Sequence, residues 1–147
     1  METTLPAKAS KTILIVEDQD AMRASLRDFL QSAYPDCDIV GARDGVRGMQ
    51  LCHEKRPQLV LMDVQLPDAN GIDLTLQIKA MLPDTVVIIV SSHCGPDYVE
   101  HALTNGALAY ITKDKVHCEL LPAIACVLDV PPANQRTDNP AFSRGRS

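Results

Sequence analysis

The sequence predicts an α/β fold: a parallel sheet sandwiched in three layers between helices, built from a strand–helix unit repeated five times. Three observations predict it. Short continuous apolar runs, "ILIV" (13–16), "LVLM" (59–62), "VVIIV" (86–90) and "ALAYI" (107–111), are bounded by charge, proline or glycine. Between them, apolar residues recur at the 3.6-residue spacing of amphipathic helices. The two kinds of segment alternate along the chain, an order that gives right-handed crossovers and a parallel sheet with helices on both faces.

Each element has its own reason. A run apolar at every position suits a strand buried on both faces, and "ILIV" is the first of these. The first helix carries Met22, Leu26, Phe29 and Leu30 on one stripe. "DIV" (38–40) is shorter and more polar, so it is expected at the sheet edge. Val46, Met49 and Cys52 form the second stripe, and Leu74, Ile78, Met81 and Leu82 the third. Val99, Ala102 and Leu103 form a weaker fourth, and Val116, Leu120, Ile124, Val127 and Leu128 the fifth. Asp20, Asp44 and Asp97 stand near three helix starts, where an acceptor suits the free backbone N–H groups. Pro57 and Pro83 follow the second and third helices and stop them. Met22, Met49 and Met81 lie on the stripes and read as gap-fillers of the core.

Composition sets the outer bounds. The 147 residues suit one domain, expected over 11–130, with flexible segments at 1–10 and 131–147. Aromatics are 3% of a chain that is 46% apolar, so the core must be aliphatic. The net charge of −5 argues against broad nucleic-acid binding. Five cysteines with no CxxC pair read as reduced, mostly buried thiols in a reducing compartment. The opening "METTLPAKAS" has no apolar signal region, and no apolar run is long enough to span a bilayer. A cytoplasmic setting with no membrane is expected.

The strand ends carry the chemistry. The run at 59–62 stops on a carboxylate, Asp63, followed at once by a Pro, Asp, Asn and Gly cluster; packing alone asks for no charge there. The first run ends in Glu17-Asp18, the fourth in Ser91-Ser92 and the fifth in Thr112-Lys113. In the expected fold these ends share one edge of the sheet, where ligands of such folds bind. Three carboxylates together raise one another's pKa values unless a cation joins them. Oxygen ligands with waters suit Mg²⁺. A carboxylate set between that ion and a lysine is placed to attack phosphorus, with the positive charges stabilising the phosphoryl oxygens and an aspartyl phosphate as product.

These residues resemble a response-regulator receiver domain of two-component signalling. The resemblance runs from about residue 11 to 130 and rests on "ILIVEDQ", "LVLMDVQLPDANGID", "VVIIVSS" and "GALAYITKD". The family places a hydroxyl residue about 28 positions after the phosphoacceptor and a lysine about 50 after it; Ser91 and Lys113 stand 28 and 50 positions after Asp63. The resemblance implies a flavodoxin-like (βα)5 sandwich with strand order 2-1-3-4-5. It implies Asp63 as phosphoacceptor and Asp18 as direct ligand of Mg²⁺ (or Mn²⁺). Glu17 would act on the metal mainly through water, and Gln65 through its backbone carbonyl. Ser91 and Lys113 would hold the phosphoryl group, with Ser91 and Tyr110 as the switch pair. The donor would be a sensor histidine kinase or a phosphotransfer protein, and a homodimer would use the face of 97–104, 107–110 and the start of the last helix. "YITKD" near "CELLPAI" looks most like receivers that carry a LuxR-type helix-turn-helix output domain. Only 17 residues follow Val130, so no DNA-binding module is expected in this chain. Asp114 stands where many receivers have a proline after the lysine, which predicts a trans Lys113–Asp114 bond.

Blander readings and rival functions narrow the field. Tyr110 by itself reads as core with its hydroxyl at the surface. Ser92 reads as a small spacer, Cys94 as incidental, and His93 and His101 lack metal-site spacing with any cysteine. A haloacid-dehalogenase-type phosphatase also uses an aspartate nucleophile after a strand, but needs a second acid two residues on, where this chain has Gln65. A flavodoxin-like nucleotide-binding module would need a Gly- or Ser/Thr-rich phosphate loop after the first strand, where this chain has "EDQDAM".

Overall fold

The computed structural model describes residues 11–128 and 132; the terminal segments expected to be flexible lie outside the described residues, 132 excepted. Five strand–helix units follow in order: β1 (Thr12–Val16), α1 (Asp20–Ala33), β2 (Asp38–Ala42), α2 (Gly45–Lys55), β3 (Leu59–Met62), α3 (Gly71–Met81), β4 (Val86–Ser91), α4 (Pro96–Thr104), β5 (Ala109–Thr112) and α5 (Val116–Leu128). A short 3₁₀ turn, Lys113–Lys115, joins β5 to α5. The strands form one parallel sheet in the order β2-β1-β3-β4-β5, as expected.

The continuous apolar runs have a direct explanation in the packing. Successive side chains of a strand point to opposite faces. Leu14, Val16, Val60, Met62, Val87 and Ile89 enter one core with residues of α2, α3 and Ala102 of α4. Ile13, Ile15, Leu59, Leu61, Ile88, Val90 and Ile111 enter the other with α1 and α5. Burying each such aliphatic side chain contributes about 1.5–3 kcal/mol relative to leaving it in water.

The structure corrects several expectations. In α2 the buried face is Gly45, Gly48, Leu51 and Cys52, and Val46 is 61% exposed. The helix sits so close to β1 that a Cβ at Gly48 would lie 3.0 Å from the Val16 side chain, so glycine rather than valine faces the sheet. Leu103 of α4 is also largely exposed, and Ala102 makes the contact. Leu82 caps α3 from just beyond its end, and Ala107-Leu108 precede β5 rather than belong to it. β2 lies at the edge as expected but extends through Gly41 and Ala42. Tyr34, absent from the helical stripes, is buried in the α1/α5 core.

Of the three acidic helix starts, only Asp44 is a cap: its carboxylate accepts the Arg47 N–H at 2.8 Å. Asp20 and Asp97 lie one and two positions inside their helices, because Gln19 and Gly95 take the cap positions. Asp20 pairs instead with Arg23 at 2.6 Å. The thiols are not mostly buried: Cys52 is, Cys37 is half-buried, and Cys94, Cys118 and Cys126 are exposed. Burial pushes the Cys52 thiol up to about 11. There is no cis peptide bond among the described residues, so Lys113–Asp114 is trans. No helix among them is long and apolar enough to cross a membrane.

Candidate functional site

Register brings the acidic residues together. Val16 pairs with Met62, so Glu17 and Asp63 leave neighbouring strand ends side by side. The Asp63 N–H donates to Val16 O at 3.0 Å, and the Glu17 N–H to Ala42 O at 2.9 Å. Glu17 and Asp63 are 1% and 6% exposed, while Asp18 faces solvent. One carboxylate oxygen from each of the three lies within 4.8 Å of the others. From the end of β5, the Lys113 ammonium reaches Glu17 Oε1 at 2.9 Å and Asp63 Oδ2 at 3.2 Å.

Electrostatics follow from that crowding. Burial raises the Glu17 pKa, outweighing the Gln19 N–H and the Lys113 ammonium that favour its charged form; the nearby Asp63 raises it further. Burial opposes the charge on Lys113, but the Glu17 hydrogen bond and the two carboxylates prevail and hold it above its ordinary value. One ammonium therefore faces three carboxylates, two of them buried. An all-oxygen cluster with excess negative charge fits a hard divalent cation such as Mg²⁺.

The loop after β3 is shaped by its own polar residues. The Gly71 N–H donates to Val64 O at 2.7 Å and the Leu66 N–H to Ala69 O at 3.1 Å, while Gln65 and Asn70 form an antiparallel bridge. A Cβ on Gly71 would fall onto the Asp63 carbonyl, so the chain can close here only with glycine. Asn70 caps α3, accepting from the Ile72 N–H at 2.7 Å. Asp68 reaches across to another helix, accepting the Gly45 and Val46 N–H groups at 2.8 and 2.9 Å at the start of α2. Those two N–H groups hold its carboxyl below the usual carboxylate range. Above this edge lies a cleft of about 580 Å³ lined by Asp18, Asp63, Gln65, Asn70, Ser92 and Lys113, among others.

Ser91 does not line that cleft; its neighbour Ser92 does. The Ser91 side chain is fully buried, and its Oγ accepts the His93 N–H at 3.1 Å. Tyr110 is half-buried, packs against the α2/α3 core, and donates its hydroxyl to His93 O at 2.7 Å. Burial raises its pKa, partly offset by a hydrogen bond with Ser91. Glu17, Asp18, Asp63 and Lys113 thus meet at one point, Gln65 stands beside them, and Ser91 and Tyr110 lie behind the β4 end. Sequence reasoning missed Asp68 and the full part of His93, whose ring stacks on Tyr98 with centroids 5.0 Å apart and planes 19° from parallel. Asn70 had a readable signal, a capping residue directly before a glycine and a helix.

Comparison with known proteins follows the same lines. The family model described as the response regulator receiver domain matches residues 13–125. Over 113 residues the chain is 34% identical to the transcriptional regulatory protein LiaR of Bacillus subtilis, covering 76% of this chain and 53% of that protein. The solved response regulator domain of Thermotoga maritima CheB is 32% identical with a TM-score of 0.71, covering 84% of this chain and 99% of that one. A DNA-binding response regulator of the LuxR family from Staphylococcus aureus is 28% identical with a TM-score of 0.73, covering 80% and 98%. The chain spans about half the length of the curated relatives it matches. By sequence and by fold, the chain belongs to the response regulator receiver domains, the phosphoaccepting modules of two-component signalling.

Proposed function

We propose that residues 11–130 form the receiver and that Asp63 is its phosphoacceptor, taking a phosphoryl group from the phosphohistidine of a sensor histidine kinase or phosphotransfer protein. The observation that carries this is the Asp63 carboxylate itself: fixed at a strand end, paired to Lys113 at 3.2 Å, beside two further carboxylates and open to the cleft. A carboxylate oxygen of Asp63 attacks phosphorus, the O–P bond forms, and the P–N bond breaks with its electron pair leaving on the imidazole nitrogen. Lys113 then meets a phosphoryl oxygen in place of a carboxylate oxygen. Asp18, Asp63 and the Gln65 backbone carbonyl, with Glu17 mainly through water, would hold Mg²⁺ or Mn²⁺, which would supply positive charge beside the phosphoryl oxygens.

For Ser91 to donate to the phosphoryl group, its hydroxyl must leave the His93 N–H and turn into the cleft. Tyr110, already bonded to His93 O behind β4, then packs further inward into the space that Ser91 vacates. The signal leaves through the face of α4, β5 and α5, which exposes Leu103 and Leu108 at 46% and 53%, and this face binds a partner or a second copy more tightly after phosphorylation. The chain acts in this reading as a cytoplasmic switch rather than a turnover enzyme, catalysing only its own phosphorylation and dephosphorylation. The haloacid-dehalogenase reading is not favoured, since Gln65 offers no second acid.

The test is incubation with acetyl phosphate and Mg²⁺, followed by mass spectrometry. One phosphoryl group on Asp63, lost when a chelator is present, is expected. Labelling elsewhere, or labelling indifferent to chelator, refutes the assignment.

A further inference from the structure

The turn between β4 and α4 centres on one residue. Three groups of His93 are engaged by three different elements: its N–H by Ser91 Oγ at the end of β4, its C=O by the Tyr110 hydroxyl from β5, and its imidazole by the Tyr98 ring in the first turn of α4. The near-parallel ring pair at 5.0 Å has the spacing of a favourable offset stack. His93 Nε2 is buried and has no hydrogen-bond partner among the described residues. A buried polar atom left without a partner works against the arrangement that buries it. The same side chain thus carries one contribution that holds the turn in place and one that opposes it.

We propose that His93 is a positioning residue for the phosphoryl-accepting site: stacked on Tyr98, it holds the β4–α4 turn in the arrangement that keeps the Ser91 hydroxyl out of the cleft. This rests on the reading of Asp63 as phosphoacceptor and Ser91 as its phosphoryl partner. When Ser91 turns into the cleft, the His93 N–H loses its acceptor, and the turn is left with the Tyr110 bond and the ring stack. The stack therefore sets how readily Ser91 is released, while the orphan nitrogen sets how far the resting arrangement falls short of full stability. The two contributions have opposite signs on the rate at which Asp63 is labelled, so substitutions separate them.

The experiment uses the full chain with acetyl phosphate and Mg²⁺, with thermal melts confirming that each variant folds. Tyr98→Ala removes the stack and is expected to speed labelling about twofold to tenfold. His93→Phe keeps a ring against Tyr98 and removes the orphan nitrogen, and is expected to slow labelling by about twofold or more. The double variant Tyr98→Ala, His93→Ala should be no faster than Tyr98→Ala alone, because both changes remove one interaction. In the protein without metal or phosphodonor, the Ser91 amide resonance of Tyr98→Ala should move toward the position it takes in wild type with beryllium fluoride and Mg²⁺. Both single variants slowing labelling, both matching wild type, or an unmoved Ser91 resonance overturns the inference while leaving the site reading intact. Wild type that is never labelled at Asp63 overturns the site reading and this inference together.

Discussion

Two loops border the cleft, and they are built in opposite ways. The loop after β3 is closed by backbone hydrogen bonds at both ends, bridged by Gln65 and Asn70, and tied to the starts of two helices by Asn70 and Asp68. The turn after β4 hangs on one serine, one tyrosine hydroxyl and one ring stack, and it buries a nitrogen without a partner among the described residues. Under the proposed function, the first loop follows the residue that must not move, since Asp63 would have to present an oxygen at a fixed depth. The second follows Ser91, which under the same proposal must turn to reach the phosphoryl group. Rigidity and readiness to rearrange are separated by one strand spacing in the same sheet edge.

The largest expected effect lies at the fixed residue. Asp63→Asn should abolish labelling by acetyl phosphate with the far-ultraviolet circular dichroism unchanged; full labelling of the mutant would sink the assignment of the acceptor. Next come the two glycines that bound the loops. Gly71→Ala should destabilise the protein by about 1–3 kcal/mol or more in urea titration, because the new methyl group meets backbone. Gly95→Ala, where a Cβ meets only a Tyr98 ring carbon at 3.7 Å, should cost about 0.5 kcal/mol or less. Equal costs at the two sites would erase the contrast between the loops.

Between those two glycine costs lies the effect at the cap. Asn70→Ala should cost about 1 kcal/mol, read in the same titration, through the lost bond to the Ile72 N–H. The smallest concerns Asp68 and has a pH signature. Its carboxyl is held below the usual range in the folded protein by the Gly45 and Val46 N–H groups, so its contribution is present above its unfolded value and is lost as pH falls through the folded value. Asp68→Asn should therefore lower the melting temperature slightly at neutral pH, with the gap closing below the ordinary carboxylate range. A gap that widens in acid would show that Asp68 is not stabilised as an anion.

Much of this was legible in the sequence, and the failures share a cause. Strands buried on both faces announce themselves as unbroken apolar runs, so the places where Glu17, Asp63 and Lys113 emerge could be read directly. Helix faces were less secure. Val46 fits a 3.6-residue stripe, yet the tight approach of α2 to Val16 selects Gly48 for the buried side. Asp20 and Asp97 carry the right chemistry for caps but stand inside their helices, since position to within one residue is not encoded in residue type. Ser91 could be located by its spacing, while the direction of its hydroxyl depends on His93, which no periodicity singles out. Asp68 was invisible for a similar reason: its partners lie more than twenty positions away on another helix.

β3 also acts as a ruler. Its four residues divide evenly, Leu59 and Leu61 to one core and Val60 and Met62 to the other. A slip of one residue would send each pair to the wrong face and carry Asp63 about 3.3 Å along the sheet, a displacement as large as its present distance from Lys113 of 3.2 Å. The reach of the Asp63 carboxylate is here a length gauged by aliphatic side chains on both sides of the sheet. Under the proposed function, repacking that touches the uncharged Leu61 or Met62 should therefore surface in the rate at which Asp63 is labelled before it surfaces in the overall fold.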